Sequence, residues 1–274
     1  MEMPDLHSRH HAATIGHVKI LKWTVSGKLE RFYKRQVQAL GYEPEFSLNP
    51  NMRYHAQVVT PAGQRSRIEV RPDLSKKQAE HTIAHEIMHI VLYQEGYPVV
   101  KAHDAHPDWE NCAGILNDML TDPIIERRLE EEGLFDREEE SKRRLRRMSR
   151  DFSHSVIQVP CGGRSWLGRI FKHVEIALEL SNSVREEYVL RYAQAQQPDI
   201  VREGQYWLSV VHEQGFETSL QCREILHRVF ERYDLIPYMV IHDPRIHAPY
   251  KETWAWLRGL KKRGKIDLIL PPED

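Results

Sequence analysis

The sequence predicts an α+β fold, with a small sheet from residues 45–70 packed beside two helices rich in histidine and acid, then a mostly helical second half. Three observations predict it. Apolar residues recur at three- and four-residue intervals over 27–40, 75–94 and much of 166–233. Short β-type segments, punctuated by Pro and Gly, lie between the first two of those stretches. The composition, 41% hydrophobic and 29% charged over 274 residues, suits a chain that encloses a core.

Each element has a local reason. From Gly27 to Leu40, Leu29, Phe32, Tyr33, Val37 and Leu40 keep helical spacing, and Gly41 is the stop. Residues 45–48, 54–60 and 67–70 read as strands, with Pro61-Ala62-Gly63-Gln64 as a hairpin turn. Ser75 opens a helix to about Gln94, which Gly96 and Pro98 terminate. A polar loop carries His103, Asp104, His106 and Pro107, and Trp109 starts a helix that runs to about Thr121. Asp122-Pro123 should interrupt it, because Pro lacks an N–H and disfavours a helical residue before it. A further helix is expected from Pro123 to about Glu132.

Over 130–150, Glu138, Glu139 and Glu140 stand four residues before Lys142, Arg143 and Arg144, the pattern of a solvated helix with i,i+4 pairs. Helices are expected at 171–181, 183–196, 203–214 and 218–233, ahead of a Pro-rich tail. The natural division is residues 1–135 and residues 136–274. The second region is a separate domain or completes the same core, since no Gly/Ser linker parts them.

Charge and cysteines exclude several classes. With 39 Lys+Arg against 40 Asp+Glu, no global field favours nucleic acid or an acidic membrane. Local basic runs, Lys142–Arg147 and Lys261–Lys265, are the weaker basis for a helical nucleic-acid binder. Cys112, Cys161 and Cys222 are too few and too scattered for a disulfide framework, which fits a reducing cytosol. The first dozen residues, with His7, His10 and His11, are expected to form a polar arm, and residues 1–17 lack the apolar stretch of a secretory signal. No charge-free apolar run reaches the length of a membrane span, about 18 residues. Cys161 in Pro160-Cys161-Gly162-Gly163 lacks a visible histidine partner, so an inert thiol is expected.

The chemistry gathers at His85-Glu86-Ile87-Met88-His89, an H-E-x-x-H pattern. Residues four apart share a helix face, so both imidazoles can meet one metal ion, with Glu86 beside them to take a proton from a bound water. At 100° per residue, Ile83, Ala84, Ile87, Met88, Ile90 and Val91 form one apolar arc, with His85 and His89 opposite its centre. Zinc suits three protein ligands and one open position, although nitrogen/oxygen sets also accept manganese or cobalt. The third ligand is expected from Asp118 or Asp122, acids on an otherwise apolar stretch. His81 is expected on the helix surface, and His103 and His106 in a solvent loop.

These residues resemble the zinc metallopeptidases of the zincin class. In thermolysin-like members a later helix bears Asn-Glu-x-x-x-Asp, whose Glu binds zinc while the Asp hydrogen-bonds a ligating histidine. Here Asn117-Asp118-Met119-Leu120-Thr121-Asp122 is similar, with Asp in place of Glu and a position farther downstream. A second registration resembles zincins with an aspartate ligand supported by a polar residue four later, which makes Asp122 the ligand and Glu126 its support. Asp122 is favoured slightly, because a helix junction at Asp122-Pro123 lets a short side chain reach the metal. The resemblance spans about residues 67–126, and the metzincin extension is absent. It implies a zincin-like fold and a cytoplasmic zinc peptidase that acts on peptide or protein substrates, with His85, His89 and Asp122 on Zn2+ and Glu86 as general base. The expectation from a different class is a metal-binding regulatory or protein-interaction protein that turns over little.

Overall fold

A serine placed just before an apolar-periodic run starts each of the first two helices. The computed structural model describes residues 18–52, 54–59, 65–103, 107–153, 165–246 and 248–264. His7, His10, His11, the 61–64 turn, Asp104, His106, Cys161 and Lys265 lie outside the described residues. Helix α1 (Gly27–Leu40) follows Ser26, whose side chain accepts from the Leu29 N–H. It stops at Gly41, whose φ of 73° is a left-handed conformation that a Cβ would strain. Helix α2 (Lys76–Gln94) opens on a full capping box: Ser75 accepts from the Gln78 backbone, and Gln78 Oε1 accepts from the Ser75 backbone at 3.1 Å. Two N–H groups that the helix leaves over are thereby satisfied, which fixes its first turn.

Strands β1 (Lys19–Ile20) and β2 (Trp23–Thr24) form a small hairpin. Strands β3 (Glu45–Leu48), β4 (Ala56–Val59) and β5 (Arg67–Val70) form a sheet in the order β3-β5-β4. Strand β3 runs parallel to β5, whereas β4 is antiparallel to it with Val58 opposite Ile68. Central β5 buries Ile68 and Val70 completely, and α2 packs on β4 and β5.

After α2 the chain departs from expectation. Residues Val99–Ala102 form a strand, β6, where only a terminator and a loop were expected. The predicted break at Asp122-Pro123 is absent: α3 (Pro107–Glu131) runs through Pro123 as one 25-residue helix. Proline there forfeits a backbone hydrogen bond, a penalty on the order of 3 kcal/mol. Leu116, Met119, Leu120, Ile124, Ile125 and Leu129 are all 0–1% exposed on both sides of it, and that burial outweighs the lost bond.

The second half holds α4 (Arg137–Ser153), α5 (Ser165–Glu179), α6 (Asn182–Ala195), α7 (Pro198–Gln214) and α8 (Ser219–Tyr233). Two of these begin earlier than expected, α5 by six residues and α7 by five. The stretch expected as tail instead supplies β7 (Met239–Asp243), β8 (Ala248–Pro249) and α9 (Lys251–Lys262). Strand β7 lies between β6 and β8, antiparallel to both. The described residues thus form an α+β fold of nine helices and three small sheets, mostly helical in the C-terminal half. One hydrophobic core runs from Ile83, Ile87 and Leu116 through Phe171, Val174 and Trp207 to Met239, so residues on both sides of position 135 share it. No described helix is long and apolar enough to cross a membrane.

Candidate metal centre

Two helices bring the site together as facing rows. Helix α2 presents His81, His85 and His89 one turn apart, and α3 presents Asp118, Asp122 and Glu126 at the same interval. The rows run in opposite directions, so early histidines meet late acids. His81 Nε2 donates to Glu126 Oε2 at 3.0 Å, and His85 Nδ1 lies 3.1 Å from Glu126 Oε1. Asp122 Oδ1 faces His85 Nε2 at 3.6 Å and His89 Nε2 at 3.5 Å.

Those last three atoms form a compact triangle, since the two Nε2 atoms are only 3.2 Å apart. The two contacts to Asp122 are long for hydrogen bonds but suit ligands of one ion. A point equidistant from all three atoms lies about 2.0 Å from each, the usual bond length from a first-row transition metal to imidazole nitrogen or carboxylate oxygen. His85, His89 and Asp122 could therefore hold a metal ion, as could His81, His85 and Glu126. Satisfaction of polar atoms separates the two groups. Both Glu126 oxygens already take an imidazole each, whereas buried Asp122 Oδ1 and His89 Nδ1 have no hydrogen-bond partner.

The electrostatics agree. Burial opposes a charge on His85, yet the carboxylates of Asp122 and Glu126 outweigh it and hold the ring well above its ordinary pKa. The same field raises its affinity for any cation. His89 goes the other way: burial, and the charge on His85, push it down to about 4. Glu126 stays well below the ordinary carboxylate range, because its bonds to His81 and His85 outweigh its burial. Burial pushes Glu86 up to about 7, despite the opposing pull of His85, and its carboxylate accepts from the Val58 backbone N–H of β4. Asp118 lies behind this front, held well above its ordinary value by burial and by Asp122 and Glu175.

Other expected candidates sit apart. His81 bonds Glu126 and stacks on Phe135 at 4.9 Å, with its side chain still 34% exposed on the helix surface. His103 is exposed and donates to the Ile236 carbonyl at 3.0 Å. On the charged helix, Lys142 pairs with Glu138 at 3.0 Å and Arg143 with Glu140 at 2.9 Å, while Arg144 turns inward to Glu179. Sequence reasoning missed Lys172, Glu175 and Glu179 of α5, which reach the same interior as Asp122. The signal was present: charges at i, i+3 and i+7 stand among the apolar residues Ile170, Phe171, Val174, Ile176 and Ala177. Tyr93, one turn past His89, was missed too; burial, and the charges of Glu86, Asp118 and Asp122, hold its hydroxyl firmly protonated. Compared with known protein families, curated proteins and solved structures, the chain matches none of them.

Proposed function

We propose that this chain is a zinc-dependent peptidase of the zincin type, with His85, His89 and Asp122 as metal ligands and Glu86 as general base. The observation that carries the reading is the His85–His89–Asp122 triangle with a buried carboxyl of raised pKa next to it in sequence. Tetrahedral zinc, with bonds of about 2.0–2.2 Å to such ligands, sets neighbouring donor atoms roughly 3.3–3.5 Å apart. The three separations here, 3.2, 3.5 and 3.6 Å, straddle that spacing. Zinc held there supplies a water of lowered pKa and polarises a scissile carbonyl.

The chain's own groups do the rest. Glu86 would take a proton from the bound water and return it to the leaving amine: burial raises its pKa, and a bound cation would pull it back toward the ionised form that accepts a proton. Glu126 accepts from His85 Nδ1, which turns the Nε2 lone pair toward the ligand position. Strand β4 is an edge among the described residues, and its Val58 N–H points at Glu86 rather than into the sheet. An extended peptide added along that edge would bring its carbonyls past Glu86.

Glu86→Gln tests the reading. Zinc content of the full-length chain, with His7, His10 and His11 replaced by Ala, should stay at one equivalent. Hydrolysis of a mixed peptide library should fall by about 10²–10⁴, the usual worth of a general base. Equal turnover in variant and parent would overturn the mechanism. Absence of turnover in both, with metal retained, would favour a metal-binding interaction protein instead.

A further inference from the structure

Asp122 belongs to a second cluster as well. Its carboxylate and those of Glu175 and Glu179 offer oxygens within 4.8 Å of one another. Both glutamates come from α5, which packs along α3. Glu175 is 1% exposed and Glu179 9%. Lys172 takes Glu175 Oε1, but Glu175 Oε2 is buried without a hydrogen-bond partner. Arg144 contacts Glu179 and lies 3.8 Å from Glu175. Three carboxylates, with Asp118 close by, thus gather here: Lys172 and Arg144 face the two glutamates, and His85 faces Asp122. A buried anionic oxygen left unpaired is costly, and a cation is the partner its surroundings lack.

We propose that the centre is dinuclear, with Asp122 as the bridge. One Asp122 oxygen faces the ion held by His85 and His89; the other joins Glu175 and Glu179 around a second divalent cation. The inference rests on the metal reading of the histidine site. A carboxylate has two oxygens with lone pairs to spare, so one residue can serve both ions. The donor sets differ in kind. Two imidazoles and an oxygen favour zinc, whereas an all-oxygen site favours a harder ion such as Mn2+ or Mg2+. Lys172 pairs with Glu175, and Arg144 with Glu179 and more distantly with Glu175, neutralising part of the charge, while Glu175 Oε2 is left without a hydrogen-bond partner. The competing arrangement is a protonated Glu175, which needs no cation.

The experiment uses the full-length chain with His7, His10 and His11 replaced by Ala, stripped with a chelator, reloaded with one equivalent of Zn2+ and titrated with Mn2+. Elemental analysis after desalting should find one Mn2+ beside one Zn2+. Glu175→Gln and Glu179→Gln should each weaken Mn2+ binding at least tenfold and leave zinc at one equivalent. That retained zinc also reports that the variants fold. Should Glu175→Gln fail to fold, Glu179→Gln, at the edge of the cluster, decides between the two arrangements. Chain loaded with Mn2+ alone should give a spin-coupled electron paramagnetic resonance signal, since bridged ions sit about 3.5–4 Å apart. Zinc retained without any Mn2+, or Mn2+ bound equally by parent and variants, would overturn the second site and leave the first standing. A chain that holds neither metal would overturn both.

Discussion

His85 uses its two nitrogens for different tasks. Nδ1 lies against Glu126, and Nε2 looks toward His89 and Asp122. Replacing Glu126 by Gln keeps its size but weakens that hold, so metal affinity should fall about 10–100-fold, as for other partners of a ligating histidine. Asp122→Ala should cost more than Asp118→Ala, because only Asp122 lies in the triangle; competition with a chromophoric chelator measures both. The reverse ranking would move the third ligand to Asp118. His85, Glu86 and His89 were legible in the sequence because one helix carries them at a fixed spacing. Glu175 and Glu179 were not, since their proximity to Asp122 comes from how α5 packs on α3. His173, also on α5, makes a separate prediction. It is 1% exposed, stacks on Tyr192 at 3.7 Å, and has Nδ1 3.1 Å from the Tyr188 hydroxyl. Burial pushes its pKa down to about 3. Its unfolded-state value is near 6.5, so its contribution to stability is complete above that pH and is lost as pH falls from about 6.5 toward 3. In an NMR titration the ring should stay neutral through pH 5; a midpoint near 6.5 would mean that water reaches it.

Element by element, local signals located helices better than they located breaks and partners. Ser75 and Gly41 marked helix ends through chemistry within a few residues, and α1 and α2 formed where the periodicity lay. Pro123 misled because its penalty is local and its compensation is not: the burial of Met119, Ile124 and Ile125 depends on neighbouring helices. The continuity matters to the site. An unbroken α3 keeps Asp118, Asp122 and Glu126 on one row, so the rationale of a helix junction for Asp122 falls, while Asp122 itself lies against both histidines. Strands β6 and β7 escaped notice because each is short and its partner lies on the other half of the chain. Helix α7 offers an element-scale test at Gly204, where an added Cβ would stand 2.6 Å from His173 Cδ2. By helix propensity alone, Gly→Ala should stabilise by up to about 1 kcal/mol. Stacking on Tyr192 limits retreat of the His173 ring, so Gly204→Ala should instead destabilise by about 1–3 kcal/mol, the range for overpacked cores. Urea denaturation decides the sign, and a rise in midpoint would show that α5 and α7 can separate cheaply.

At the scale of the whole molecule, the His-bearing helix and its acids depend on the C-terminal half of the chain. Strand β6 hangs between α2 and α3 and finds its only partner among the described residues in β7. The Tyr250 hydroxyl donates to the Gly96 carbonyl, just past the end of α2, and the Tyr97 hydroxyl donates to the Glu217 carbonyl. Arg127 of α3 pairs with Glu217. Helix α3 packs against α5, and the core continues without a gap across position 135. A chain cut there would leave β6 as a bare strand and expose apolar surface now covered by α5. At about 25 cal/mol per Å² such exposure costs several kcal/mol for a few hundred Å², comparable with the total stability of a domain. Fragment 1–135 should therefore fail to unfold cooperatively and should retain no metal after desalting, even though it holds His85, His89 and Asp122. A sigmoidal urea transition with one equivalent of zinc would show instead that the first region is a domain in its own right. The intact chain supplies the matching control. Chelation should lower its melting temperature, because an ion at a thousand times its dissociation constant stabilises the fold by about 4 kcal/mol. An unchanged melting temperature on chelation would mean that the folded chain holds no ion more tightly than the unfolded one, and the metal reading of the facing rows would fall.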